Sequence, residues 1–291
     1  MASLRIGTCS WKYDSWAGII YSAKSGINYL EEYSKHYNTV EIDQWFWSLF
    51  NDAAKLPDER TVKEYNDSVP DDFKFTIKVP NSITLTHHYS KGKDKSLGEN
   101  IHFLEPELFH SFIKTLQPMS GKVGALLLQF EYLNKQKMSS QAEFIDRTAA
   151  FLETVDNSYP IGLEIRNPNY LNRTYFEFLN EKNVSPVLLE GYYMPPIKDV
   201  FSRFKEHMTG PIVIRLHGPD RKKVEQITGG DWSKIVLPKD DTLGRLPSII
   251  QFFIDREVDV YVNVNNHFEG SAPLTIEKIL RLIGSESRES S

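Results

Sequence analysis

Eight short β-rich runs, each followed by enough chain to hold a helix, constrain this sequence more than any other feature. They cover residues 4–11, 39–44, 73–79, 123–130, 161–167, 184–190, 212–218 and 258–266. Helical spacing separates several of them: Phe144, Thr148, Phe151, Leu152 and Val155 form one apolar stripe, Leu243, Leu246, Ile249, Ile250, Phe253 and Ile254 a second, and Ile276, Ile279, Leu280 and Ile283 a third. A weaker pattern places the helix after the sixth run near residues 199–208. Strands that alternate with helices pair in parallel, because a parallel crossover needs that much chain. Eight such units in 291 residues predict one (β/α)8 barrel, a TIM barrel, over residues 1–284. The stretches 80–102 and 219–238 read as insertions. Residues 285–291 carry no apolar pattern and are expected to be a disordered tail.

Composition narrows the class. Apolar residues make up 40% and charged residues 25%, ordinary for a chain with a real core. Cys9 is the single cysteine, so no intrachain disulfide forms, which fits a reducing, cytoplasmic compartment. No apolar run follows a basic stretch at the start, and none reaches spanning length, so neither a secretory leader nor a membrane segment is expected. A net charge of −5 excludes a broad electrostatic footprint for nucleic acid.

Within the runs, side chains alternate between two faces. Ile161, Leu163 and Ile165 oppose Gly162, Glu164 and Arg166. Ile212, Ile214 and Leu216 oppose Val213, Arg215 and His217. Val40 and Ile42 oppose Glu41 and Asp43, while Phe75, Ile77 and Val79 oppose Thr76 and Lys78. Helices must cover the apolar face, so the polar face points into the barrel or toward its mouth. The polar residues gather at the C-terminal ends of the runs, where barrel active sites are built. Their charges nearly balance: Lys78, Arg166 and Arg215 against Glu41, Asp43 and Glu164, with His217, Gln129 and Asn265 as bridging donors or acceptors. A purely structural ion-pair network is the alternative reading of the same residues.

The segments GTCSWKYDSW, NTVEIDQWFW, FKFTIKVPNSIT, LLLQFEYL, LEIRNPNYL, VIRLHG and VYVNVNNHFEGSAP occur in this order along the chain. Together they resemble domain-of-unknown-function family 72, the YecE-like proteins. The resemblance implies a TIM barrel and no established activity. The family's polar positions correspond to Glu41, Lys78, Gln129, Glu164, Arg166, His217, Asn265 and Asn266, and its aromatic opening to Trp11, Tyr13 and Trp16. The chain departs from the family pattern at Phe46–Trp47, where the family has Phe-Tyr, and after Gln129, where Phe130, Glu131 and Tyr132 replace Leu-Pro-Pro.

Three reaction classes can be weighed on these residues. Glycoside hydrolysis needs two carboxylates about 5–9.5 Å apart, but Glu41 and Glu164 lie on distant strands. Metal-assisted hydrolysis could use Glu41, Glu164 and His217; no metal ligand set is assigned, although a divalent metal is not excluded. Acid/base chemistry on a small anionic substrate suits the site best. Glu164, His217, Lys78 and Glu41 are its candidate catalytic groups, as hydrolase, lyase or isomerase. Arg166, Arg215, Gln129, Asn265, Asn266, Trp11 and Tyr13 are its candidate substrate contacts. A Glu beside a bound anion is expected to titrate upward. Lys78 is expected in an ion pair with Glu41 or Glu164, with a Schiff-base role as the alternative if it is desolvated.

Trp11, Tyr13, Trp16, Trp45, Phe46 and Trp47 follow the first two strands and could stack a ring, or simply pack over the mouth. Rings and cations together give a second function class: a nucleic-acid-binding module related to endonuclease-IV-like barrels, tracking phosphates through Lys91, Lys93 and Lys95 or Arg221, Lys222 and Lys223. Pro273 suits a first helical turn after the last strand, and that helix start could hold an anion. Cys9, with no base partner in the sequence, reads as a small core residue. No Walker A or Rossmann glycine pattern follows a strand, so no nucleotide cofactor is expected. Oligomeric state is left open.

Overall fold

The alternation of faces becomes a closed ring in the computed structural model, which describes residues 2–50, 53–88, 98–155 and 158–289. Strands β1 (Leu4–Cys9), β2 (Thr39–Ile42), β3 (Lys74–Lys78), β4 (Val123–Gln129), β5 (Ile161–Glu164), β6 (Ser185–Gly191), β7 (Ile212–Gly218) and β8 (Val260–Val264) pair in parallel in chain order, and β8 returns to β1. Each run predicted from the sequence holds one strand. The outer helices are α1 (Tyr29–Ser34), α2 (Glu59–Asp67), α3 (Pro106–Thr115), α4 (Gln141–Thr154), α5 (Arg173–Glu181), α6 (Ile197–Phe204), α7 (Leu246–Ile254) and α8 (Ala272–Glu289). The chain is a (β/α)8 TIM barrel.

Local chemistry starts the helices where the loops end. The side chains of Asn28, Asp58, Ser140 and Asn172 accept backbone N–H bonds from the first turns of α1, α2, α4 and α5, satisfying donors that have no partner within the helix. The outward strand residues, among them Val40, Ile42, Phe75, Ile77, Leu163, Ile214 and Val262, are buried beneath these helices in one continuous core. Inside the ring a second, smaller apolar cluster of Ala125, Leu127, Val187, Val213 and Tyr261 fills the N-terminal part. The buried charges of Glu41, Lys78, Glu164 and Arg215 lie toward the C-terminal ends of their strands.

Both expected insertions lie on the C-terminal side. The β3–α3 connection carries a single helical turn, Asn81–Thr84, and the β7–α7 connection a helix, Arg221–Thr228, closed by Gly229 at φ 59°. One boundary differs from expectation. The ordered chain was expected to end at 284, yet α8 continues to Glu289. Residues 285–289 include Glu286, Arg288 and Glu289, which favour helix without needing an apolar stripe; residues 290–291 lie outside the described residues. Among the described residues, no helix is long and apolar enough to cross a membrane.

The seam between β1 and β2 depends on one glycine. The Tyr33 hydroxyl, from α1, accepts the Thr8 N–H at 2.8 Å and donates to the Thr39 carbonyl at 3.0 Å. A Cβ on Gly7 would stand 1.9 Å from that carbonyl oxygen and 2.9 Å from the phenol oxygen. Gly7→Ala is therefore expected to lower stability by about 3 kcal/mol or more, at the upper end of overpacking costs. Urea unfolding of the two proteins measures this, and a loss below about 1 kcal/mol would contradict the packing described.

Candidate active site

The barrel register aligns the polar residues. Leu189, Arg215, Asn263 and Gly7 are neighbours across β6, β7, β8 and β1. Cys9, Glu41 and Thr76 align across β1, β2 and β3, and Gln129 aligns with Glu164 across β4 and β5. Arg215 reaches across the ring to join these rows. Its Nε and Nη2 donate to the two oxygens of Glu41 at 2.7 and 2.6 Å. Its Nη1 donates to Gln129 Oε1 at 3.1 Å and to Glu164. Asn263 donates to Glu41 at 3.2 Å and to Thr76 at 2.9 Å. Arg166 holds the other Glu164 oxygen through Nε at 2.7 Å and Nη2 at 2.6 Å.

Arg215, Glu41 and Glu164 are almost entirely shut off from solvent. Burying three charges is costly unless each is paired and hydrogen-bonded, and here two guanidinium groups meet two carboxylates through forked contacts. Burial alone would lower the Arg215 pKa, but Glu164 and Glu41 outweigh it and push it well up. Each Arg215 nitrogen donates to a protein acceptor, which suits this side chain to positioning other groups. Glu164 responds to the same pairing. Burial acts to raise its pKa, yet Arg166 and Arg215 prevail and hold it below the ordinary value. An ionised Glu164 with both oxygens engaged is a poor proton shuttle, and Glu41, held by the Arg215 fork, is equally constrained.

With those four charges cancelled, Lys78 and Asp43 are left over. Among the described residues, no carboxylate lies within 4.0 Å of the Lys78 ammonium, so the expected ion pair with Glu41 or Glu164 does not form. The Lys78 Nζ lies 3.6 Å from the centroid of the Phe46 ring, and Phe46 is itself buried. Burial, with Arg215 adding repulsion, pushes the Lys78 pKa down from 10.5 to about 8. Asp43, just beyond the end of β2, moves the other way. Burial first and Glu41 second raise its pKa, against Lys78 and Arg215. Asp43 shares the inward parity of Glu41; its role becomes legible only once Glu41 is seen to be engaged.

His217 occupies the next inward position after Arg215. Burial, then Arg215, Arg166 and Lys78, hold its pKa well below 6.5, so the imidazole is neutral. Its Nε2 lies 3.6 Å from the Cys9 sulfur and its Nδ1 lies 3.4 Å from the Tyr192 hydroxyl. The fold thus supplies the basic partner for Cys9 that the sequence lacked. Burial, then Glu41, keeps that thiol protonated by pushing its pKa well up, so it is not an activated thiolate. Ligand atoms of Cys9, Glu41 and His217 fall within 4.8 Å of one another. The trio is poorly suited to a divalent cation: Glu41 is taken by Arg215, and Lys78 and Arg166 add positive charge. Tyr192, absent from the sequence reading, stacks beneath the Arg166 guanidinium at 4.3 Å. It has a positive φ of 54°, and its N–H donates to the Gly218 carbonyl at 3.0 Å. The glycine before it, at the end of β6, was its only sequence signal.

The remaining expected contacts divide. Gln129 is half-buried and accepts from both arginines. Tyr13 is half-buried and lines a cleft of about 760 Å³ with Lys12, Gly229, Gly230 and Trp232. Trp11 is buried and meets the ring of Tyr65 edge-on at 5.0 Å, so it is a wall and not a stacking platform. Trp45 stacks on Tyr65, Trp16 is buried, and Trp47 is exposed. Asn265 Oδ1 accepts the His267 N–H at 2.9 Å, and Asn266 Oδ1 accepts the Ala272 N–H at 2.8 Å. These two asparagines brace the β8 loop, and the start of α8 is served by Asn266 instead of an anion. Arg221 is paired with Glu225 at 2.8 Å. Lys91, Lys93 and Lys95 lie outside the described residues.

The chain matches the family model "Protein of unknown function DUF72" over residues 5–290. It belongs to the DUF72 family. The UPF0759 proteins YecE of Escherichia coli K12 and O157:H7 are each 23% identical to it over 195 residues. That match covers 64% of this chain and 58% of the length of those relatives. A DUF72 family protein of Enterococcus faecalis superposes with a TM-score of 0.68 at 18% identity, over 97% of this chain and 96% of its own. One of Thermotoga maritima gives 0.66 at 17%, over 97% and 99%. At these identities the solved DUF72 structures bear on the fold.

Two stability measurements test the charge assignment. Arg215→Met leaves buried Glu41 without its cation and Glu164 with Arg166 alone, and is expected to cost about 3–5 kcal/mol. Lys78→Met removes an unpaired cation and is expected to stabilise the protein at pH 7, by up to about 3 kcal/mol given the displacement from 10.5 to about 8. The sign follows from linkage: the unfolded chain binds the Lys78 proton more tightly, so wild-type stability rises between pH 8 and 10.5. The advantage of Lys78→Met should shrink across that window in pH-resolved urea unfolding. A destabilised Lys78→Met would mean that Lys78 is paired after all.

Proposed function

We propose that this DUF72 protein is an enzyme that binds a small carboxylated or phosphorylated compound at the C-terminal mouth of the barrel. The observation that carries the reading is the residue of charge left by the buried network. The arginine–glutamate frame cancels itself, while Lys78 and Asp43 have no ion-pair partner among the described residues, with Lys78 lowered to about 8, Asp43 raised and His217 held neutral. Groups whose pKa values are pushed toward neutrality by burial and neighbours concentrate at active sites. An unpaired buried cation that lowers stability is expected where function requires it.

Arg166 is the proposed anion contact. Its Nε and Nη2 are committed to Glu164 and Gln129, which fixes the plane of the guanidinium. Its Nη1 has no partner among the described residues, and the side chain keeps 17% of its surface exposed. A guanidinium held rigidly by a carboxylate, with one free edge, suits a carboxylate or phosphate oxygen. Lys78, Asp43 and His217 would then move protons on the bound compound, in a hydrolase, lyase or isomerase.

The test is a thermal-shift panel of small carboxylates, sugar phosphates and nucleotides on wild type and Arg166→Gln. A binder at about 100 times its Kd adds about 2.7 kcal/mol, a shift of roughly 5 °C or more. The expected outcome is stabilisation of wild type by at least one small anion and its loss in Arg166→Gln. Equal shifts in both proteins, or stabilisation by single-stranded DNA alone that vanishes at high salt, would overturn the reading.

A further inference from the structure

Lys78 carries a more specific chemistry than charge. It is the last residue of β3 and points into the barrel mouth above the apolar plug. Two functions explain most buried lysines: closing an ion pair, or capping backbone carbonyls. Lys122 does the second, donating to the carbonyls of Asn66 and Val69 at 2.8 Å. Lys78 does neither among the described residues. Its nitrogen lies over the Phe46 ring, Arg215 adds repulsion to the cost of its burial, and 8% of its surface stays open.

We propose that Lys78 is a nucleophile that condenses with the carbonyl carbon of a small aldehyde or ketone bearing a carboxylate or phosphate, forming a Schiff base. The proposal rests on the anion-binding reading above and names the substrate class of the same site. A lysine acts this way when it loses its proton near neutrality, through desolvation or a neighbouring cation, and Lys78 has both. With a pKa of about 8, roughly one molecule in ten carries the neutral amine at pH 7. Arg166 and Lys78 both lie close enough to Glu164 and His217 to shift their titration. Lys78 pairs in register with Leu127 on β4, two residues before Gln129, whose Oε1 accepts from Arg166, so the proposal requires one compact compound to reach both the cation that binds its anion and the amine that attacks its carbonyl.

The chemistry balances with groups at hand. The Lys78 lone pair forms the C–N bond while the carbonyl π pair moves to oxygen. That oxygen gains a proton as nitrogen loses one, giving the carbinolamine. One further proton, from the Asp43 carboxyl or from solvent, lets the C–O bond break and water leave, and the nitrogen lone pair completes the protonated imine. Phe46 excludes water from one side of the nitrogen. Asp43, held protonated more readily than an ordinary aspartate by burial and Glu41, is the acid nearest in chemistry to that step.

The experiment uses the full chain with glyoxylate as probe and borohydride as reductant, which turns an imine into a stable secondary amine. Butyraldehyde, which lacks the anion, is the control, and intact-mass and peptide analysis locate the label. Labelling of Lys78 by glyoxylate is expected at least tenfold faster than that of exposed lysines such as Lys63 and Lys198. It should fall at least tenfold with butyraldehyde or in Arg166→Gln, and its rate should rise with a midpoint near pH 8. Labelling of Lys78 no faster than that of exposed lysines would overturn the nucleophile. If small anions still stabilise the protein through Arg166 in that case, the anion site stands and only the Schiff base falls. If they do not, both fall.

Discussion

The fork that Arg215 places on Glu41, with its second arm on Glu164 and Gln129, is the contact on which the barrel interior depends. It joins β7 to β2 and β5 across the ring, not along the sheet, and it neutralises carboxylates that could not otherwise remain ionised in a dry interior. Replacing such a network by apolar residues often costs a protein little. Its presence above an apolar floor that already fills the N-terminal part of the ring therefore calls for a reason other than stability.

The reason offered by the geometry is positioning. The Arg215 guanidinium is fixed between two carboxylates. Arg166 is oriented in its plane by Glu164 and Gln129 and on its face by the Tyr192 ring, and His217 lies between Cys9 and Tyr192. Burial depresses Lys78 first, and the Arg215 charge that helps steady Glu164 adds to it.

The loops add the outer layer. Trp11 and Trp45 are used against Tyr65 of α2, so they shape the mouth by packing. Asn265 and Asn266 tie the β8 loop to its own helix, and buried Glu269 accepts from the Lys239 N–H at 2.7 Å and the Thr275 hydroxyl at 2.8 Å, locking the β7 and β8 loops together. The β6 end is different. Gly191 and Gly218 let two backbones approach closely, since a Cβ on Gly191 would lie 2.4 Å from the Gly218 carbonyl oxygen, and that approach sets Tyr192 over the mouth.

Strand number, order, parallel pairing and the direction in which each polar side chain points were all legible in the sequence, because alternation has a period of two and each run preserves it. The family resemblance was legible for the same residues. The sequence also assembled the correct set of charges, but it could not apportion them. Glu41 and Glu164 look like free acids in a linear reading, and Lys78 looks like their partner. Which cation meets which carboxylate is decided by the stagger of the closed ring, which brings Arg215 of β7 to both glutamates and leaves Lys78 beside Phe46. The same closure put His217 next to Cys9, residues more than two hundred positions apart. Local pattern determines which face a side chain takes, whereas only the three-dimensional register determines who stands opposite, and in a low-dielectric interior burial and that pairing together move the pKa values.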